Sequence, residues 1–369
     1  MSGSFLRLAS SGAREGAPRR VASRRSPHRI LVAGLAAAAL QASPLSSRPL
    51  GAQQSRVHDL PLVPANVHWG YYDASLAPVL RIRSGDAVTF ETMVARGVER
   101  MRMAGARADE IPEALAAVER AVTDRGPGAH PMTGPIFVEG AEPGDVLEVH
   151  IEDIGYMHPF GVGAFAPGGG TLPDDFPYAG LKLIRFDDEG TAAFSPGVRL
   201  TLAPFFGSIG VAPPVLSGRV SSRAPGYHVG NLDNKELGVG SVVYLPVHVP
   251  GALLSIGDGH ALQGDGEVSG TAIETSLSGR MRVRVRKDLD LTWPRAETST
   301  HVITMGLDPD LDEAARLATR EMVKYLVEER GLTREDAYIL CSLVVDLRVT
   351  QVVDGTKGIH AMLPKSIFR

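Results

Sequence analysis

VVYLPVHVPGALLSIGDGHALQGDGEVSGTAIETS, residues 242–276, sets the character of this 369-residue chain. Its first half is rich in Val, Leu and Ile and broken only by Pro246 and Pro250, while residues 268–273 are short, apolar and bounded by glycine. The spacing predicts strand, polar loop, strand, since such runs between Gly and Asp clusters fit a pleated, half-buried surface. Between them lie Asp258, His260, Gln263, Asp265, Glu267 and Glu274. In an extended segment alternate side chains share a face, so Asp258 and His260 are expected on one side, where an oxygen and a nitrogen donor could meet one cation. Gly257, Gly259, Gly264 and Gly266 let the backbone bend tightly and approach a ligand closely. A Gly/Asp turn whose carboxylates cap backbone amides is the bland alternative.

Outward from this stretch, residues 57–304 carry mainly strand patterns, including VLRIRSGDAVTFET, DVLEVHIEDI and MRVRVRKDLDLTW. A short helix is expected over 113–122. Arg280, Arg282, Arg284 and Arg286 alternate with Met281, Val283 and Val285, as expected of a solvated strand face or a guarded sheet edge. Beyond residue 304 the pattern changes to apolar residues three and four apart, and two helices are expected over 308–329 and 333–351. The fold class expected is mainly β, a sandwich-like body with a C-terminal α/β subregion over 305–369.

The first 52 residues differ from the rest. Eight arginines and one acid, Glu15, accompany an apolar run, ILVAGLAAAAL at 30–40, too short to span a bilayer, and then Leu50-Gly51-Ala52. This is the pattern of an export signal, and a periplasmic or secreted domain over 53–369 is expected. That domain carries 30 basic and 41 acidic residues, a net charge near −11. Such a charge argues against nucleic acid as a partner and gives no attraction to anionic lipid. One cysteine, Cys341, excludes an internal disulfide; its apolar neighbours at helical spacing make it a core residue rather than a nucleophile.

Four further segments complete the pattern: NVHWGYYDASLAPVLRIRSGDAVTFET (66–92), GPIFVEGAEPGDVLEVHIEDI (134–154), GYHVGNLDNKELGVGSVVYLPV (226–247) and VTQVVDGTKGIHAMLPKSIF (349–368). With GDGHALQGDGE at 257–267 they are colinear and built of unusual dipeptides. In them the chain resembles the acetamidase/formamidase family of metal-associated amidohydrolases. The resemblance implies the fold just described and hydrolysis of small amides to a carboxylate and ammonia.

Amide hydrolysis needs an activated water or carbonyl, and a bound divalent ion can supply both effects. Asp233, in GNLDN, joins Asp258 and His260 as the expected metal ligands. One nitrogen and two oxygens suit zinc, while calcium or manganese fits if more oxygens join. Glu274, on an apolar strand, is the preferred general base, with Glu267 in a glycine turn as ligand, cap or second candidate. His68 could orient substrate or stabilise an oxyanion beside Trp69, and Gln263 could donate to the amide oxygen. Lys235 and Lys357 are further candidates for charge stabilisation, against the default of solvated lysines. No G-x-S-x-G elbow is present, and Ser208 has no paired base in view. The partner expected is a small-molecule amide, with the chain acting as a homo-oligomer; a hydrolase of larger amides or lactams, or an exported binding protein on this scaffold, are the rival readings.

Overall fold

The computed structural model describes residues 55–369, so the expected export segment lies outside the described residues. Two nine-stranded sheets make up the body. The first runs in the order Val57–Leu60, Ala87–Glu91, Leu277–Arg286, Val146–Tyr156, Val242–Pro246, Arg295–Glu297, His301–Asp308, Lys357–Pro364 and Asp346–Gln351. The second is centred on Leu254–His260, which lies between Phe205–Gly210 and Pro131–Glu139 and also pairs with Glu274–Thr275.

Side chains from both sheets share one core: Leu147, Val149 and Ile151 from the first meet Ile136, Phe206 and Ile256 from the second. Alternating apolar residues along each strand place that set on the inner face. Phe90 and Phe206 meet across it with ring centroids 5.0 Å apart. Gly279 allows this approach, because a Cβ there would stand 2.7 Å from the Phe206 ring and 2.8 Å from Phe90.

The fold is mainly β, as the patterning predicts, but three local expectations change. Asp258 and His260 belong to the strand itself, and residues 268–273 form a turn whose Val268 is 60 % exposed, with the return strand starting only at Glu274. The glycines at 264, 266 and 270 break the run that its apolar content would otherwise extend. The second C-terminal helix stops at Val344, and Asp346–Gln351 is a strand paired with Lys357–Pro364. Its apolar spacing fits either period, and the Asp354-Gly355 turn, with Gly355 at φ 85°, folds it into a hairpin. The arginine strand is interior to its sheet rather than an edge; Arg280 and Arg282 pair with Glu152, and Arg284 and Arg286 with Glu148, so the alternation marks a charged outer face.

The expected short helix forms at Glu113–Ala121. The long helix Leu311–Glu328 is capped by Asp310, whose side chain accepts from the Asp312 and Glu313 amides. It packs directly on the strand His301–Asp308: a Cβ on Gly306 would sit 1.9 Å from the Ala314 carbonyl oxygen. Gly306→Ala should therefore force helix and strand apart and lower the unfolding free energy by about 3 kcal/mol, read from the shift in denaturant midpoint. An unchanged midpoint would contradict this packing.

Candidate active site

Strand register assembles the site. His260 lies opposite Glu274 across one ladder, so their side chains share a face. On the other side Phe206 pairs with Gly259 and Ser208 with Gly257, which sets Gly207 opposite Asp258. The Asp233 amide donates to the Gly207 carbonyl at 3.1 Å and hooks the following loop over the strand. Glu267 sits in the turn after the strand, and Gly266 exchanges backbone hydrogen bonds with Thr350 and Val352, which brings the Asp354 turn alongside.

The result is a buried acidic cluster. Asp233, Asp258, His260, Glu267 and Glu274 are each at most 7 % exposed. His260 Nε2 is 3.4 Å from both Asp258 Oδ1 and Glu274 Oε2. Asp233 Oδ1, Asp258 Oδ1, Glu267 Oε2 and Glu274 Oε2 accept no hydrogen bond. A buried carboxylate oxygen that accepts no hydrogen bond is costly unless a cation or a proton compensates it. The backbone is strained at the same place, with Asp233 at φ 50°, Asp258 at 57° and Glu267 at 47°, all in the left-handed region that β-carbon sterics disfavour.

Electrostatics follow from this crowding. Burial, then the neighbouring charges of Glu267, Asp354 and Asp258, raises the Asp233 carboxyl well above its ordinary pKa. Burial and Asp354 do the same to Glu267. Burial alone would raise Asp258, but His130 and His260 beside it hold it below the usual range. Burial also opposes a charge on His260, yet Asp258 and Glu274 outweigh it and raise its pKa well above the ordinary value.

Donor atoms of Asp233, Asp258 and His260 all lie within 4.8 Å of one another, as do those of His260, Glu267 and Glu274 and those of Asp233, Glu267 and Asp354. The hollow inside the first triple is defined by Gly207. A Cβ there would stand 2.5 Å from Asp233 Oδ1, 2.7 Å from Asp258 Oδ2 and 2.8 Å from His260 Cε1. Two buried carboxylate oxygens, Asp233 Oδ1 without a hydrogen-bond partner and Asp258 Oδ2, facing a hollow that only glycine leaves open, fit a small cation.

Other candidates fall outside this arrangement. His68 is buried against Ser255, with its Nε2 2.9 Å from the hydroxyl, and burial lowers its pKa to about 4. Among the described residues no hydrogen bond or ion pair joins it to the carboxylates. Trp69 is part of a separate core under an Arg125 guanidinium rather than a pocket wall. Gln263 Nε2 donates to the Asp233 carbonyl at 2.7 Å, so it braces the Asp233 loop. Lys235 pairs with Asp265 at 3.0 Å, both partly exposed, and Lys357 starts the Lys357–Pro364 strand. Ser208 donates to Asn231 Oδ1, and Cys341 is buried in a helix with its thiol pKa raised by burial, so neither is set up as a nucleophile.

Three residues join the site without a local sequence signal. His130 Nδ1 is 2.9 Å from the Ser222 carbonyl, which can only accept, so Nδ1–H donates and Nε2 is turned towards Asp258 Oδ2, 3.8 Å away. Asn231 Nδ2 donates to Asp233 Oδ2 at 2.7 Å and to Asp354 Oδ2 at 3.2 Å, tying the two carboxylates together.

The chain belongs to the acetamidase/formamidase family, whose model, described as "Acetamidase/Formamidase family", matches residues 79–216 and 219–369. It is similar to an acetamidase crystal structure from Bacillus halodurans, at 34 % identity and TM-score 0.72, covering 84 % of this chain and 98 % of that one. An acetamidase structure from Yersinia enterocolitica matches at 31 % identity and TM-score 0.74, over 89 % of this chain and 98 % of that one. A formamidase from Methylophilus methylotrophus is 33 % identical over 192 residues, 38 % of this chain and 47 % of the relative. The chain thus spans about half the length of the curated relatives it matches.

Proposed function

We propose that this chain hydrolyses the C–N bond of small amides, of the formamide and acetamide kind, with a divalent cation held by Asp233, Asp258 and His260. The observation that carries this reading is the pair of buried carboxylate oxygens at the hollow left by Gly207, Asp233 Oδ1, which accepts no hydrogen bond, and Asp258 Oδ2, with His260 beside them. A cation held by these three residues would supply Lewis acidity and lower the pKa of water towards neutrality. One nitrogen and two oxygens suit zinc; the further oxygens of Glu267 and Glu274 would also suit manganese or calcium.

Glu274 is the proposed general base. Its Oε1 accepts from the Ala272 amide at 3.2 Å, which fixes the carboxylate and leaves Oε2 beside His260, free to take a proton from the attacking water. The same group then returns that proton to the leaving nitrogen, so that ammonia departs and the carboxylate product remains. Gln263 and Asn231 hold Asp233 in its strained conformation, and Glu267 closes the acidic wall. So enclosed a site favours small amides over bulky ones.

The test is ammonia release by the full-length protein across amides of increasing size. Turnover should be highest for formamide or acetamide and fall as the acyl group grows. No ammonia from any short amide, with metal bound, would reject the reading.

Export is proposed as well, supported by the arginine-rich segment and the apolar run at 30–40. N-terminal sequencing of protein from its host should find a chain starting near residue 53. A mature chain starting at Met1 would end that proposal.

A further inference from the structure

Away from the acidic cluster, a cavity of about 260 Å³ lies between residues 288–295 and the C-terminal half of the helix Leu311–Glu328. That is smaller than the roughly 300–1,000 Å³ of sites for drug-sized ligands, so its occupant would be a small molecule. Strand pairing sets the floor: Arg295 lies opposite Tyr244 on one neighbour and Thr304 on the other, so the three side chains share the face that the helix covers. Thr304 Oγ1 donates to the Ala318 carbonyl of that helix at 2.7 Å. Lys324 Nζ donates to the Asp290 carbonyl at 3.2 Å and ties the helix to the loop.

Two opposite charges line this space without pairing with each other. Arg295 has a side chain only 6 % exposed, and its guanidinium lies 5.0 Å from the Tyr244 ring and 5.3 Å from the Tyr325 ring. Nη1 donates to Glu329 Oε1, while Nε is buried with no hydrogen-bond partner. Tyr325 and Glu329, which touch the guanidinium, also line the cavity, so the charged end of Arg295 is the part that borders it. An unmet donor of this kind is costly in a protein interior. Glu321 stands on the helix wall, partly buried, and among the described residues its carboxylate has neither a hydrogen bond nor an ion pair. Burial raises its pKa above the ordinary value; Lys324 and Arg295 counter this in part, and Glu328, two turns along the same helix face, adds to it.

We propose that this cavity binds a free α-amino acid with an apolar side chain, its carboxylate on the Arg295 guanidinium and its ammonium on Glu321. A guanidinium has five donors, so the bond to Glu329 leaves room for a second carboxylate. A simple carboxylate would also meet the charges of Glu321 and Glu328, and a simple amine would meet Arg295. A zwitterion satisfies both walls at once, and each single-charge analogue is rejected by one of them. Leu289, Leu291 and Trp293, all partly buried, line the loop wall and give the ligand's side chain an apolar contact. None of these residues belongs to the acidic cluster, so the site stands apart from amide hydrolysis.

The test is calorimetric titration of the full chain with L-leucine, with 4-methylpentanoate, which lacks the ammonium, and with 3-methylbutylamine, which lacks the carboxylate. L-Leucine should bind saturably at millimolar concentration or below, and each analogue should bind at least about 10-fold more weakly, as expected for loss of a charge-assisted hydrogen bond. Glu321→Gln, at a partly buried helix position, should keep the fold and weaken L-leucine by at least about 10-fold, while 4-methylpentanoate binds no worse than before. A parent chain that takes up no L-leucine, one that binds 4-methylpentanoate as tightly as L-leucine, or a folded Glu321→Gln protein with the parent's affinity would each overturn the proposal.

Discussion

Gly207→Ala should strip the protein of bound metal and of turnover together. The added methyl would occupy the hollow between Asp233, Asp258 and His260, at 2.5 to 2.8 Å from all three. A zinc ion needs donors about 2.0–2.2 Å from its centre, and a carbon in that space prevents the three side chains from closing on it. Gly207 does not have a left-handed backbone, so alanine fits the strand conformation and the damage should stay at the site. Metal affinity should fall by at least about 100-fold, beyond the range seen when only groups behind the ligands are removed. Elemental analysis reads the metal, and a thermal melt in chelator, compared with metal-free parent protein, separates loss of ligand from loss of fold. A Gly207→Ala protein with a full complement of metal would mean that the ion sits elsewhere in the cluster.

Glu274→Gln should separate binding from chemistry. The substitution is nearly isosteric, and the glutamine oxygen can still accept from the Ala272 amide, so the turn and the ladder pair with His260 are kept. What is lost is a group able to hold the proton of the attacking water. General-base catalysis contributes roughly 10²- to 10⁴-fold, so kcat should drop within that range while metal content and KM change little. Ordinary turnover in Glu274→Gln would move the base role to another group, with Glu267 the first to test by the same substitution.

The contrast between what was legible in the sequence and what was not has a physical basis. Asp258, His260, Glu267 and Glu274 lie within 17 residues of one another, in a glycine-rich stretch whose alternation and acid content already point to a ligand site. Asp233 stands in a short polar loop and reads as a fifth member. Gly207, His130 and Asp354 come from elements separated from that stretch by 50 to 130 residues, and only strand register brings them in. A glycine whose importance is the space it leaves has no sequence signature of its own. The segment 346–351 shows the opposite limit, because its apolar spacing suits helix and strand alike and the decision falls to a hairpin partner further along the chain. His68, in a family-like segment, is placed by the fold against the Ser255 hydroxyl rather than among the carboxylates, a separation that local sequence does not convey.

The central claim is that a cation held by Asp233, Asp258 and His260 is required for amide hydrolysis. Its most direct test is ammonia release from acetamide and formamide by the full chain before chelation, after complete metal removal, and after return of zinc, manganese or calcium one at a time. Activity should vanish with the metal and return as about one equivalent of a single ion rebinds. Undiminished hydrolysis by protein shown to be free of metal would contradict the account.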